Sequence, residues 1–77
     1  MNIEYTKMQT IDLKELPKLI HEFVDNEQGY NVMRFKYKER KVRLFMQDNG
    51  IIMVFGDNKT GEVFETSSEI IGKLLEI

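Results

Sequence analysis

Apolar residues recur at helical spacing in two stretches of the chain, one near each end. The first stripe consists of Leu16, Leu19, Ile20, Phe23 and Val24, and the second of Ile70, Ile71, Leu74 and Leu75. Spacings of three and four residues place such side chains on one face of an α-helix, so each stretch is predicted to be an amphipathic helix. Asp12 with Glu15, and Thr66 with Glu69, have the spacing of helix capping boxes.

Pro17 complicates the start of the first helix, because an interior proline loses a backbone hydrogen bond and clashes with the preceding turn. Two arrangements are compatible with it. Either residues 12–16 form a separate turn and Pro17 opens the main helix, or the first helical turn is kinked. Gly29, after residues 26–28, is predicted to mark the exit of this helix.

Between the two helical stretches, the alternation of apolar and polar residues is typical of strands joined by tight turns. Asn49-Gly50 is the strongest turn signal, since a type I′ hairpin turn needs two positive φ angles. Asn58–Gly61 predicts a second turn with Gly61 in the left-handed conformation, and Glu39-Arg40 a third. The predicted result is an antiparallel meander, with strands at about 30–38, 41–48, 51–57 and 62–66.

Residues 2–8 alternate in the same way and can add a fifth strand, paired with either the second strand or the last. The fold class is therefore predicted to be α+β, in the order β-α-β-β-β-β-α. Two helices would cover one face of a four- or five-stranded antiparallel sheet. Residues 1–77 carry no repeat or linker-like segment, so a single domain is expected.

The predicted turns also assign a register to the meander. A turn at 49–50 pairs Met46 with Met53, and a turn at 39–40 pairs Lys38 with Lys41 and Lys36 with Arg43. Side chains alternate across a strand, so one face is predicted to form the core. That face collects Met33, Phe35, Tyr37, Val42, Leu44, Met46, Ile51, Met53 and Phe55. A bulge at Gly61 decides whether Val63 or Phe64 points inward.

The opposite face of the predicted sheet is unusual because it combines positive charge with apolar side chains. The segment 34–43 has a net charge of +5 although the whole 77-residue chain has a net charge of −2. The basic side chains predicted on this face are Arg34, Lys36, Lys38, Lys41 and Arg43. Beside them lie Val32, Phe45, Gln47, Ile52 and Val54. Strand 51–55 is apolar on both faces, which indicates that something covers this surface.

Three kinds of occupant are compatible with that face. The chain itself can cover it with a helix or its first strand, with Glu62 or Glu65 neutralising the lysines. A second copy or another protein can pack on Val32, Phe45, Gln47, Ile52 and Val54. A single-stranded nucleic acid can place phosphates on Arg34, Lys36, Lys38, Lys41 and Arg43 and a base on Phe45.

Composition narrows the classes of function. The chain has no Cys and one His, so thiolate chemistry is absent and no metal site or cofactor is expected. Its longest apolar run, residues 51–55, is too short to span a bilayer, and its first residues lack the pattern of a signal peptide. A cytoplasmic protein without a membrane partner is therefore expected.

The few residues that could support catalysis are separated in the sequence. Ser67 and Ser68 have the position of helix caps, and His21 lies far from them. We therefore expect a non-enzymatic binding or regulatory module, acting through its exposed sheet face as a homodimer. A core of this size contributes only about 3–5 kcal/mol, which also favours a partner. The alternative is a single-stranded nucleic-acid-binding protein that uses the basic hairpin.

Overall fold

The computed structural model describes residues 4–25 and 29–77 and shows an α+β fold with two helices on one side of a sheet. Its elements are β1 (Glu4–Thr10), α1 (Leu16–Asp25), β2 (Val32–Tyr37), β3 (Arg40–Gln47), β4 (Gly50–Phe55), β5 (Glu62–Phe64) and α2 (Ser67–Leu75). The strands lie in the order β1-β2-β3-β4-β5. Strands β2 to β5 form the predicted antiparallel meander.

The fifth strand predicted at 2–8 extends over Glu4–Thr10 in the described part of the chain, and it pairs with β2. Residues 1–3 lie outside the described residues. The pairing is parallel and contains an irregularity between Thr6 and Thr10. Parallel neighbours need a crossover connection, and α1 provides it. This topology carries α1 across one face of the sheet.

Helix α1 begins as in the first of the two predicted arrangements, in which a separate turn precedes the main helix. Asp12 Oδ1 accepts a hydrogen bond from the Glu15 backbone N–H at 2.9 Å, and residues 13–15 form a separate turn. The helix then begins at Leu16, so Pro17 falls in the first helical turn, where its missing N–H has no partner to lose. Gly29, which was predicted to mark the exit, has a φ of 77°, and residues 26–28 before it lie outside the described residues.

Helix α2 begins as the capping-box spacing predicts. The Glu69 backbone N–H donates to Thr66 Oγ1 at 3.2 Å, and the Thr66 hydroxyl donates to Glu69 Oε1 at 3.1 Å. Ile70 and Leu74 are fully buried. The predicted burial of Leu75 is wrong, since 49% of this residue is exposed. The short helix contacts the core along the 70/74 row, and Leu75 lies outside that row.

The predicted cross-strand register is wrong by two residues in both hairpins. The turns fall at Lys38-Glu39 and Asp48-Asn49, so Lys36 faces Lys41, Arg34 faces Arg43, and Met46 faces Ile51. Gly50 is the first residue of β4, with a φ of 141°. A β-carbon there would lie 2.7 Å from the Phe64 carbonyl oxygen. This glycine therefore allows β5 to approach, instead of forming the centre of a type I′ turn.

Two consecutive residues with positive φ angles occur in the β2–β3 turn, and not in the β3–β4 turn for which they were predicted. Lys38 has a φ of 51° and Glu39 a φ of 64°, although neither is glycine or asparagine. Left-handed backbone costs an ordinary residue roughly 1–2 kcal/mol. The β2–β3 hairpin therefore forms despite its turn residues, and its stability comes from the pairing of the strands.

The predicted core face is confirmed, because a register shift of two residues leaves every side chain on the same side of the sheet. Met33, Leu44 and Met53 lie in one row across the three central strands and are buried. Met46 and Phe55 belong to the same face and are partly buried. Both helices pack here through the buried side chains of Leu16, Ile20, Phe23, Ile70 and Leu74.

Gly61 does not have the left-handed conformation predicted for it, since the described glycines with positive φ are Gly29, Gly50 and Gly56. The strand that follows it directs Phe64 into the core and leaves Val63 52% exposed. A close approach explains the glycine instead: a β-carbon at residue 61 would lie 2.8 Å from the Met53 carbonyl carbon.

Candidate functional site

The face of the sheet opposite the helices carries two rows of side chains that run across the strands. We call this surface the open face. The first row is Glu4, Val32, Phe45, Ile52 and Val63. The second row is Thr6, Arg34, Arg43 and Val54, and Lys36 and Lys41 face each other beside it. The buried residues of α1 and α2 belong to the core cluster, so neither helix lies over the open face.

The basic side chains of the open face surround a shallow depression of about 370 Å³. Four cations line it, namely Arg34, Lys36, Lys41 and Arg43. We call this surface the basic depression. Thr6 lines it from β1, and Gly56 and Asp57 form the wall beyond β4. Strand alternation explains the arrangement, because every second residue of two adjacent antiparallel strands is basic over this stretch.

Arg43 is held by the wall of the depression. Its Nη2 donates to the Gly56 carbonyl oxygen at 3.1 Å and to the Asn58 carbonyl oxygen at 2.9 Å. Arg34 Nη2 lies 3.3 Å from Glu4 Oε1, in a pair of which both side chains are about half exposed. Such an exposed pair contributes only about 0–1 kcal/mol and leaves Arg34 able to take another anion.

The side chains of Lys36 and Lys41 are exposed, and neither ammonium group has an ion pair or hydrogen bond with the described residues. They are nevertheless direct cross-strand neighbours. Like charges in this position destabilise a sheet, by up to about 1 kcal/mol. Asp57 is the one acidic residue that lines the basic depression, so four cations outnumber it there, and neither lysine forms an ion pair with a described residue.

Lys38 does not belong to this cluster, contrary to the prediction from sequence. It lies in the β2–β3 turn, its Nζ donates to the Ile77 carbonyl oxygen, and it lies 5.5 Å from the centre of the Tyr37 ring. The turn ends the strand alternation on which the prediction depended. Glu62 likewise does not neutralise the hairpin, since its Oε1 lies 3.5 Å from Lys73 Nζ.

The apolar part of the open face is smaller than the sequence suggests. Val32 and Val54 are each only 6% exposed, so two of the five predicted interface residues are covered by their own chain. Val54 lies under the β4–β5 loop, where a β-carbon on Gly61 would be 2.8 Å from Val54 Cγ2. Phe45 and Ile52 are partly exposed, and Gln47 is exposed.

Val63 lies on the open face, although it is not among the site residues predicted from the sequence. It continues the row of Phe45 and Ile52 onto β5 and is exposed. Val63 and Phe64 are consecutive in the strand and must point to opposite faces. The bulge predicted at Gly61 left open which of the two points outward. The exposed apolar surface therefore lies toward the β5 edge and not over Val32 and Val54.

His21 and Ser67 are brought together although 46 residues separate them in the sequence. Ser67 Oγ lies 2.6 Å from His21 Nδ1, in a hydrogen bond between α2 and α1. Neither residue lines the basic depression. Among the described residues, no other hydrogen bond orients the imidazole, so the pair is an interhelical contact without the third group of a nucleophilic triad.

In residues 4–25 and 29–77, no three His, Asp or Glu side chains are grouped so that they could hold a metal ion. No helix among those residues has the length and apolar character needed to cross a bilayer.

The open face and the basic depression thus define a small α+β domain with one charged, uncovered sheet surface. Comparison with protein-family models, with curated proteins and with solved structures finds no match to the chain.

Proposed function

We propose that this protein is a non-enzymatic binding module whose open face binds an anionic partner. The facing pair of Lys36 and Lys41 carries this proposal, since neither lysine has an ion-pair partner among the described residues and both line a depression that also contains Arg34 and Arg43. A bound anion would offset the repulsion between the two lysines and would accept charge-assisted hydrogen bonds from them.

The electrostatic contrast with the rest of the molecule supports the same function. Segment 34–43 has a charge of +5, and the remaining residues therefore sum to −7. The net charge of the whole chain would not attract an anion to this protein, because it is negative. A local concentration of cations on an open surface does so, because the field near the surface depends on the nearest charges.

Charge reversal at the two lysines tests the proposal. Inorganic polyphosphate serves as the probe, and its affinity is measured by calorimetry at low and moderate salt. The Lys36→Glu/Lys41→Glu variant is expected to bind at least about tenfold more weakly than the unchanged protein, since two attractive contacts become repulsive. Binding of the unchanged protein is expected to weaken as salt rises.

The matched control is Lys14→Glu/Lys18→Glu, which changes the net charge equally at two exposed lysines on the helix side. This variant is expected to stay within about threefold of the unchanged protein, because its charges lie outside the depression. Equal weakening by both variants would contradict a localised site, and so would the absence of polyphosphate binding at low salt.

Self-association is a second candidate for the same face, and the exposure of Val63 favours it. Val63 lies in one row with the partly exposed Phe45 and Ile52, at the edge of the sheet. A second copy could bury this apolar row. The homodimer expected from the sequence would then form around the β5 side of the open face.

Sedimentation velocity over the micromolar range tests the homodimer. Val63→Lys is expected to shift the protein toward monomer, because it places a charge in the contact. Leu75→Lys is the control, since Leu75 is similarly exposed on α2, away from the open face. A protein that is monomeric throughout the range would exclude this candidate and leave the anion site unaffected.

A further inference from the structure

We infer that the anion is the backbone of a single-stranded nucleic acid, and that Phe45 provides the surface on which one of its bases stacks. This inference rests on the proposed anion-binding function and names its ligand. It depends on the position of one aromatic side chain relative to the basic depression.

Phe45 adjoins the depression on the same face of the sheet. It lies two residues from Arg43 along β3, which corresponds to about 6.6–6.8 Å of strand, and it is diagonal to Arg34 across the β2–β3 pair. The ring is partly exposed. A ligand with phosphates on the cations would therefore have its neighbouring groups within reach of an aromatic surface.

A single strand fits this combination better than the other polyanions. Its bases are free to stack on aromatic side chains while its phosphates contact Lys and Arg. Inorganic polyphosphate and acidic peptides would use the cations but would gain little from the ring. A duplex keeps its bases stacked inside, so Phe45 would have no base to contact.

The hydrogen bonds divide the basic side chains between two roles. Arg43 anchors the β4–β5 loop, because its guanidinium donates to the carbonyl oxygens of Gly56 and Asn58. Phosphate contacts are assigned to Lys36 and Lys41, whose ammonium groups have no partner among the described residues, and to Arg34, whose exposed pairing with Glu4 is weak. The Thr6 hydroxyl can add a neutral donor from β1.

Fluorescence anisotropy with a labelled thymidine oligonucleotide of about ten nucleotides tests the inference, since single-strand sites on small domains cover roughly 4–16 nucleotides. The oligonucleotide is expected to bind at least about tenfold more tightly than polyphosphate of equal charge. Phe45→Leu is expected to weaken oligonucleotide binding about tenfold and to change polyphosphate binding by less than about twofold, because only the base loses its stacking surface. Phe45→Tyr retains the ring and is expected to preserve the affinity.

Salt dependence tests the assignment of the phosphate contacts. For single strands, each neutralised phosphate contributes about 0.7 to the slope of log affinity against log salt. Lys36→Gln/Lys41→Gln is therefore expected to make this slope shallower by about 1.4, and Lys14→Gln/Lys18→Gln to leave it unchanged. Thermal unfolding of each variant confirms that the fold is retained.

The outcomes separate the inference from the proposed function. If polyphosphate binds as tightly as the oligonucleotide and Phe45→Leu changes neither, the inference is wrong and the anion site remains. Equal or tighter binding of a DNA duplex or of poly-glutamate would also overturn the inference. If none of these polyanions binds at low salt, both the inference and the proposed function fail.

Discussion

Gly61→Ala is expected to lower the free energy of unfolding by about 2 kcal/mol, because residue 61 lies against the backbone of β4. An added β-carbon would contact the Met53 carbonyl group and would lie 2.8 Å from Val54 Cγ2. Main-chain atoms of a central strand cannot rotate away as a flexible side chain can. The β4–β5 loop must therefore lift, and it would then uncover Val54.

The matched control for this prediction is Gly72→Ala, the same substitution in an open environment. Gly72 is exposed in α2, and a β-carbon there meets nothing within 4 Å. Alanine is the better helix former by about 1 kcal/mol, so this variant is expected to be more stable than the unchanged protein. Urea unfolding followed by circular dichroism measures both variants. Equal stability of the two would show that residue 61 is not closely packed.

Leu44→Ala is expected to cost about 3 kcal/mol of unfolding free energy, which is most of the roughly 3–5 kcal/mol that a core of this size supplies. Leu44 is fully buried on the central strand, between Met33 of β2 and Met53 of β4. The substitution removes three buried carbon atoms and leaves a cavity that strands on both sides limit in its collapse.

Leu75→Ala provides the control for the core prediction, since it removes the same atoms from a leucine that is 49% exposed. Its expected effect is about 0.5 kcal/mol or less, because little buried area is lost. The two variants are compared by their midpoints of urea denaturation, at an equal dependence of the free energy of unfolding on urea concentration. A loss at Leu75 as large as that at Leu44 would contradict the burial that the structure gives them.

Much of the fold follows from local patterns in the sequence. The period of two along β2, β3 and β4 assigned the core face, and this assignment survived the incorrect register because a shift of two residues restores the same face. Short-range capping predicted the start of α2 at Thr66 and the hydrogen bond from Glu15 to Asp12 in the turn that precedes α1. The register itself depended on which residues occupy the turn centres, and in the β3–β4 hairpin Gly50 lies in the strand close to β5, a segment distant in the sequence, instead of in the turn.

The candidate site was predictable only in part, for similar reasons. Alternation placed Arg34, Lys36, Lys41 and Arg43 together, and the structure brings all four to one depression. Lys38 lies outside the depression because it belongs to a turn with positive φ angles and because its side chain contacts Ile77 at the far end of the chain. The cover over Val54 and the anchoring of Arg43 both come from the β4–β5 loop, whose course has no periodic signal in the sequence.

Because both helices lie on one side of the sheet, the charges of the molecule are also distributed unevenly across its thickness. Segments 12–25 and 65–77, which carry α1 and α2, have a combined net charge of −4, whereas segment 34–43 has +5. The two layers therefore form a dipole across the thickness of the domain. A diffusing polyanion is repelled by one side and attracted by the other, so the protein is turned toward its ligand before contact. Such steering raises the association rate at low ionic strength and disappears as salt shortens the range of the field.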